Sequence, residues 1–120
     1  MKRDPDLIRR ILLAVEEHAG DPRGWCDLSI PGYSPMVVSH HVKLLQEAGC
    51  LTAHDLSGSS SYDVRPKALT WTGHEFLDAA RNDTIWNAAK EEVKSKLLSV
   101  PLEVFKAVLF KLAAGQFGIG

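Results

Sequence analysis

Histidine and cysteine, the residue types that most often hold transition metals, cluster in the middle of the chain as His40, His41, Cys50 and His54. Adjacent residues on a helix point in different directions, so His40 and His41 do not share a face. Cys50 and His54 share a face only if a strand holds them at a period of two. We therefore expect no metal site, with His41 capping or packing in the core and His40 on the surface.

Three other patterns resemble parts of enzymes but lack the context that the chemistry needs. The serines at 59–61 have no GxSxG turn and no positioned histidine. The glycines at 115, 118 and 120 follow no predicted strand, so they do not indicate a dinucleotide site. Glu75 and Asp78 share one helical face, which is typical of a solvated surface. We predict no catalytic residues, no cofactor and no enzymatic activity.

Caps and apolar spacing predict the order helix, strand, helix and hairpin in the first 70 residues. Asp4 before Pro5, and Ser34 before Pro35, each place a capping oxygen ahead of a proline at the first helical position. Gly49 is the residue type that commonly follows a helix. The predicted elements are a helix over about 5–18, an edge strand over 25–30, a helix over 34–49, and hairpin strands over 50–56 and 62–69 around a flexible polar tip at 57–61, with Pro66 at an edge or a bulge.

Helical spacing continues to the end of the chain. One helix begins near Thr72, Asn82 or Asp83 caps a second, and Ser99 and Pro101 open a third. The last two helices carry a wide apolar stripe. This stripe predicts either a homodimer through residues 84–114 or packing of these helices back onto the first helix.

The three tryptophans are expected in the core or between packed helices, because large aromatic side chains beside apolar stripes are usually buried. They are Trp25, Trp71 and Trp86. The alternative for Trp86 is a place in an oligomer interface.

Length and composition bound the class of protein. A chain of 120 residues with 45% hydrophobic content buries one core. We expect an α+β, mostly helical fold, with a core over residues 1–80 and a helical extension over 81–120 in the same globular unit. The longest apolar runs are far below the roughly 18–20 residues of a membrane span, and the first thirty residues hold charges where a signal peptide is apolar. We expect reduced cysteines, no membrane partner and a cytoplasmic location.

Two segments resemble bacterial winged-helix repressors. Residues 38–51, which contain Leu44-Leu45-Gln46-Glu47-Ala48-Gly49, are similar to the recognition helix of those proteins and the strand that follows it. Residues 69–77, which open Leu-Thr-Trp-Thr-Gly, are similar to the segment after their wing. The resemblance implies a winged-helix core in which residues 34–43 approach the major groove of DNA and residues 57–63 form the wing.

The whole chain also resembles a family of short bacterial and prophage-encoded proteins, a "domain of unknown function" family that opens Met-Lys-Arg-Asp-x-Asp-Leu-Ile-Arg. Residues 1–10 here read MKRDPDLIRR. The likeness continues through Gly32-Tyr33-Ser34 and residues 69–78 to Asp83-Thr84-Ile85-Trp86. This resemblance implies no particular activity.

Charge gives mixed support to DNA binding. The net charge is −1, and residues 25–64 hold Lys43 against four carboxylates, at Asp27, Glu47, Asp55 and Asp63. Phosphate neutralisation supplies most of the affinity of a DNA-binding protein, and this segment alone cannot provide it. Basic residues outside it could contribute if folding brings them near; they are Lys2, Arg3, Arg9, Arg10, Arg65 and Lys67.

We therefore carry two functional hypotheses. The first is a dimeric regulator that binds double-stranded DNA; the second is a protein-interaction adaptor, associated with prophages, that keeps the winged fold without binding DNA. Side chains at the start of the presumed recognition helix can touch base edges or a protein surface. The candidate contact residues for either partner are Tyr33, Ser34, Met36, Ser39, His40, Lys43, Ser59, Ser60 and Arg65.

Overall fold

The computed structural model describes residues 4–18, 28–96 and 102–116. Within these ranges the protein has five helices and one two-stranded antiparallel sheet, which confirms the α+β, mostly helical class. The elements in chain order are α1 (Pro5–Glu17), α2 (Pro35–Glu47), β1 (Leu51–Asp55), β2 (Val64–Leu69), α3 (Trp71–Ala80), α4 (Asp83–Lys96) and α5 (Leu102–Gln116).

The chain divides into two compact units, and the boundary along the sequence, between His74 and Glu75, falls within α3. The first unit is Asp4–His74, and the second contains the described residues from Glu75 onward. The first unit holds α1, α2 and the hairpin, and it contains all the candidate contact residues. The division at 80/81 that the sequence suggests stays a prediction.

Helix α1 forms as its cap and apolar spacing predict. The Asp4 carboxylate accepts hydrogen bonds from the backbone N–H groups of Asp6, at 3.0 Å, and Leu7, at 3.2 Å. These bonds satisfy two of the donors that every helix start leaves open. One face is buried against α2 and β2, and each large side chain on it contributes about 1.5–3 kcal/mol through burial. Its members are Leu7, Ile8, Ile11, Leu12 and Val15.

Helix α2 begins and ends where its capping residues predict. The Ser34 hydroxyl accepts from the Val37 N–H at 3.3 Å. At the other end Gly49 has a φ of 78°, a left-handed conformation that side chains disfavour. This turn lets the Cys50 N–H donate to the Leu45 carbonyl at 2.9 Å, the arrangement that closes many helices.

The hairpin pairs Leu51 with Leu69 at its base and Asp55 with Val64 near its tip. The register shifts by one residue between Thr52 and Ala53, so that Lys67 is the extra residue of a bulge. Pro66, which cannot donate a backbone hydrogen bond, lies directly beside it, as expected for a proline at an edge or a bulge.

Half of the strand predicted over residues 25–30 falls outside the described residues. Residues 25–27 are not described, and 28–30 are not in a strand. In the part of the chain that the structure describes, the sheet therefore consists of β1 and β2.

Helix α3 starts at a very close approach to the hairpin. The Thr70 hydroxyl accepts from the Gly73 N–H at 3.1 Å and donates to the Gly49 carbonyl at 2.5 Å. A Cβ atom on Gly73 would lie 1.8 Å from the Cys50 carbonyl oxygen. Only glycine allows this contact, which explains the glycine in the Leu-Thr-x-x-Gly pattern.

The tryptophans do not share one environment. Trp71, expected in the core or between helices, is 80% exposed, because it occupies the first position of α3 on the side away from the buried residues. Trp86 is 1% exposed. It is therefore a core residue and is not available to the oligomer interface considered from the sequence. Trp25 lies outside the described residues.

The second unit is built around Trp86. The Asn82 side chain accepts from the Ile85 N–H at 3.1 Å and caps α4, as predicted. The Trp86 ring packs edge-on against Phe76 and Phe105, with centroids 6.4 and 5.2 Å apart. The predicted start of the last helix, at Ser99 and Pro101, lies outside the described residues.

The Gly73 contact gives a direct test of the fold. We expect Gly73→Ala to lower the free energy of unfolding by about 3 kcal/mol or more, because neither the Cys50 backbone nor the helix can move aside cheaply. The matched control is Gly58→Ala, whose added Cβ meets the Ser61 hydroxyl at an ordinary 3.5 Å, and we expect it to change stability by less than about 0.5 kcal/mol. Urea unfolding measures both. Equal stability of the two variants would contradict the contact.

Candidate functional site

The orientation of α2 decides which of its side chains can meet a partner. Val38, Val42 and Leu45 are buried and fix one face of the helix inward. The opposite side carries Met36, which is 58% exposed, with half-buried His40 and Lys43. Ser34 is exposed at the start of the same helix. Four of the candidate contact residues therefore lie along the accessible side of α2.

His41 joins α2 to the start of α1. It is fully buried. Its Nε2 lies 2.9 Å from the Asp4 backbone N–H, which donates to it, and its Nδ1 lies 2.8 Å from the Val37 carbonyl. This pattern requires the proton on Nδ1 and a lone pair on Nε2, so the ring is neutral. Both nitrogens are used, which confirms the predicted core role and leaves His41 no free atom for a metal or for proton transfer.

Tyr33 is also hydrogen-bonded to Asp4. Its hydroxyl donates to the Asp4 carboxylate at 2.8 Å, and this hydrogen bond is the main cause that raises the pKa of Tyr33. The Arg10 guanidinium lies 5.9 Å from the centre of the ring and donates to the Pro31 carbonyl at 3.3 Å. Tyr33 was expected to touch a partner; its hydroxyl instead holds the segment before α2 in place.

Ser39 also has an internal role that its position in the sequence does not reveal. It is 5% exposed. Its hydroxyl accepts from the Val64 N–H at 3.0 Å and donates to the Val64 carbonyl at 3.4 Å. Ser39 thus satisfies the backbone groups of β2 that point away from β1, as a neighbouring strand would. Ser39 was expected to contact a partner, but its side chain is buried and does not belong to the contact surface.

His40 is half-buried beside His41, with the two rings edge-on and their centroids 5.7 Å apart. Burial lowers the pKa of His40 because it disfavours the charged form of the ring. The His40 ring is therefore mostly neutral at pH 7, and it offers a hydrogen bond to a partner without adding positive charge.

The loop of the hairpin is closed by its own hydrogen bonds. The Ser57 N–H donates to the Asp55 carboxylate at 2.9 Å, and the Asp63 N–H donates to the Ser57 hydroxyl at 2.9 Å. The hydrogen bonds from Ser57 lower the pKa of Asp55. Ser59 and Ser60 are exposed at the tip, where they can meet a partner. We call residues 56–63 the wing loop.

The hairpin carries charges of both signs. Arg65 lies opposite His54, and Lys67 is exposed in the bulge. Arg65 forms an ion pair with Asp63, with Nη2 and Oδ2 3.1 Å apart. The segment 25–64, on which the charge argument from the sequence rests, ends inside the hairpin. Over residues 28–69, all of which the structure describes, three basic residues stand against three acidic ones, so this stretch has no net formal charge.

Metal binding finds no support in the described residues. Among them no group of three or more His, Cys, Asp or Glu side chains could hold a metal ion. Cys50 is buried while His54 is exposed, so these two do not face the same space. No helix among the described residues is long and apolar enough to span a membrane.

A cavity of about 460 Å³ lies between the start of α2 and β2. Its walls include Pro35, Val38, Val64 and Pro66, with Tyr62 and Arg65 among the polar groups. Small ligands occupy cavities of this size. Because Ser39 already occupies the Val64 backbone groups, this part of β2 cannot accept a further strand.

The Tyr33 hydrogen bond can be tested by removing one atom. We expect Tyr33→Phe to lower the free energy of unfolding by about 1–2 kcal/mol, because a hydrogen bond to a charged group is lost. The control is Tyr62→Phe, since the Tyr62 hydroxyl makes no hydrogen bond to the described residues, and we expect a change below about 0.5 kcal/mol. An effect of Tyr33→Phe that persists in full in an Asp4→Ala background would show that the bond is not the cause.

The similarity to known proteins extends over most of the chain. A family model described as "Hypothetical protein (DUF2513)" matches residues 2–99. An "Uncharacterized protein" of Haemophilus influenzae is 43% identical over 108 residues, which cover 90% of this chain and 92% of that protein. No solved structure matches the chain. The match over residues 2–99 and the similarity to the Haemophilus protein together show that the chain belongs to the DUF2513 family.

Proposed function

We propose that the Asp4–His74 unit is a winged-helix module that binds double-stranded DNA, with α2 as its recognition helix and the hairpin as its wing. The order α1, α2, hairpin, α3 supports this assignment, since the hairpin packs against α2. So does the similarity of residues 38–51 and 69–77 to winged-helix repressors. On this proposal the protein is a transcriptional regulator of the cytoplasm and has no catalytic role.

One observation carries the proposal: the accessible side of α2 and the outer face of the hairpin present groups suited to DNA. Met36 is the most exposed of them on α2, with His40 and Lys43 further along the helix. Met36 can touch a thymine methyl group, and His40 can hydrogen-bond a base edge. On this proposal Arg65 and Lys67, which both lie on β2, contact the phosphates beside the groove.

The number of cations sets the expected strength of binding. The proposed DNA-binding surface carries three basic residues, Lys43, Arg65 and Lys67. It also carries three acidic ones, Glu47, Asp55 and Asp63. Three phosphate contacts predict that affinity falls about 40-fold between 50 and 200 mM salt. A single unit of this kind binds weakly, and two linked units bind more tightly through effective concentration.

A homodimer through residues 84–114 would bring a second copy of the DNA-binding unit. Helix α5 is apolar on most sides, yet in the described residues only Phe105 and Leu109 are fully buried on it. Val104 is 47% exposed, and Val108 and Leu112 are partly exposed. A helix that is apolar on most sides usually packs on more than one side, and a second copy of this chain offers the same face.

The second candidate is a protein-interaction adaptor of prophage origin. Its specific support is the set of exposed apolar side chains on the same surface: Met36, Leu56 and Tyr62 are 58%, 39% and 37% exposed. Methionine and tyrosine are common in protein interfaces, and the nearly neutral charge of the surface suits a protein as well as DNA.

Removing the charge of Lys43 tests the first candidate. We expect Lys43→Gln to weaken binding to a mixed-sequence 25-base-pair duplex and to reduce the slope of log affinity against log salt by about 1. The control, Lys111→Gln, makes the same charge change at an exposed position of α5 and should alter neither. Fluorescence anisotropy between 50 and 200 mM salt measures both. Equal losses of affinity in the two variants would mean that the net charge of the protein, and not this surface, governs binding to the duplex.

Truncating Met36 tests the second candidate. A pull-down from the native host, divided into nuclease-treated and untreated halves, should retain a protein after nuclease treatment and lose it with Met36→Ala. The control is Trp71→Ala, which truncates an apolar side chain that is 80% exposed and lies on neither α2 nor the wing loop. Retention of DNA alone, lost after nuclease treatment, would reject the adaptor.

A further inference from the structure

The turn before α2 is in contact with a cation of α1. The Ile30 carbonyl accepts from the Tyr33 N–H at 3.2 Å, and Gly32 has a φ of 88°. With a proline second and a glycine third, these four residues have the features of a type II β-turn. The Arg10 guanidinium donates to the Pro31 carbonyl at 3.3 Å and lies 5.9 Å from the centre of the Tyr33 ring. Arg10 is thereby held beside the start of α2.

Neither of these contacts neutralises the guanidinium. A carbonyl group and an aromatic ring carry no formal charge, and Arg10 is exposed on the surface of α1. The Asp4 carboxylate is engaged by other groups: it accepts from the Tyr33 hydroxyl and from the two backbone N–H groups of the α1 cap. A guanidinium has five N–H donors in a planar fork, of which the Pro31 carbonyl uses one. The same fork binds phosphate oxygens well.

This charge lies next to the part of α2 that enters the groove on the proposed function. Ser34, Pro35 and Met36 are exposed in the residues that follow the turn. Tyr33 and Met36 are three residues apart, which separates their Cα atoms by at most about 11 Å. The major groove is about 12 Å wide, and a phosphate backbone runs along each of its edges. With the N-terminal end of α2 in the groove, the Arg10 guanidinium lies within reach of a phosphate at the edge.

We propose that Arg10 is a phosphate contact of the winged-helix unit, contributed by α1 and held beside the start of α2. The inference rests on the proposed DNA binding and adds a contact outside the recognition helix and the wing. Together with Lys43, Arg65 and Lys67 it makes four phosphate contacts. Four contacts predict that the affinity of the wild type falls about 150-fold between 50 and 200 mM salt, where three predict about 40-fold.

The test compares the wild type with Arg10→Gln on the 25-base-pair duplex. We expect Arg10→Gln to bind about fivefold more weakly at 0.1 M salt and to reduce the slope of log affinity against log salt by about 1, because one phosphate contact is lost. Arg10→Lys keeps the charge but replaces the planar group that contacts the Tyr33 ring, and we expect it to keep the wild-type slope. The control is Arg81→Gln, the same substitution at an exposed arginine of the other unit, which should change neither the affinity nor the slope.

A purely structural role of Arg10 gives a different result. If the guanidinium only holds the turn, Arg10→Gln and Arg10→Lys both lower the urea midpoint and the affinity, while the salt slope stays at the wild-type value. That result would overturn the inference. Equal losses of affinity in Arg10→Gln and Arg81→Gln would also overturn it, because the net charge of the protein would then be the cause.

The outcome for DNA binding itself is read separately. If Arg10→Gln changes neither the affinity nor the slope while Lys43→Gln still weakens binding, the inference is lost and the proposed function stands. If the wild type does not bind the duplex at 50 mM salt, both are lost.

Discussion

The hydrogen bond from the Asp4 backbone to the buried ring of His41 is the contact on which the first unit depends. It links the cap of α1 to the middle of α2, and it does so with a neutral imidazole whose other nitrogen is taken by the Val37 carbonyl. An unsatisfied N–H or ring nitrogen at this depth would cost about 1–3 kcal/mol. The contact therefore fixes α2 in one rotation about its axis, and that rotation turns Met36 and Lys43 outward.

The hairpin takes its place from two further contacts, neither of which uses a charged side chain. Ser39 supplies the backbone groups of Val64 with partners, and Gly73 lets α3 start against the Cys50 carbonyl. At these two contacts the position of the hairpin depends on a hydroxyl group and on a glycine.

Much of the fold could be predicted because its signals are local. Asp4-Pro5 and Ser34-Pro35 place the helix starts, and Gly49 places the end of α2. The contacts across the chain could not be predicted in this way: nothing near Ser39 in sequence indicates that Val64 lies beside it, 25 residues away. Trp71 was predicted to be buried but is exposed, because single large apolar side chains are common on protein surfaces. Arg65 and Lys67 were assigned to the second hairpin strand from the sequence and named as possible sources of positive charge, although the count over residues 25–64 did not include them.

We propose that the outer side of α2 and the hairpin together contact DNA. Amide chemical shifts of the 15N-labelled protein, recorded during titration with a mixed-sequence duplex at low salt, test it most directly. The account predicts that shifts concentrate at residues 34–43 and 56–67, while the amides of α4 stay unchanged. Shifts that concentrate in α4 and α5, or that are absent at saturating duplex, would contradict it.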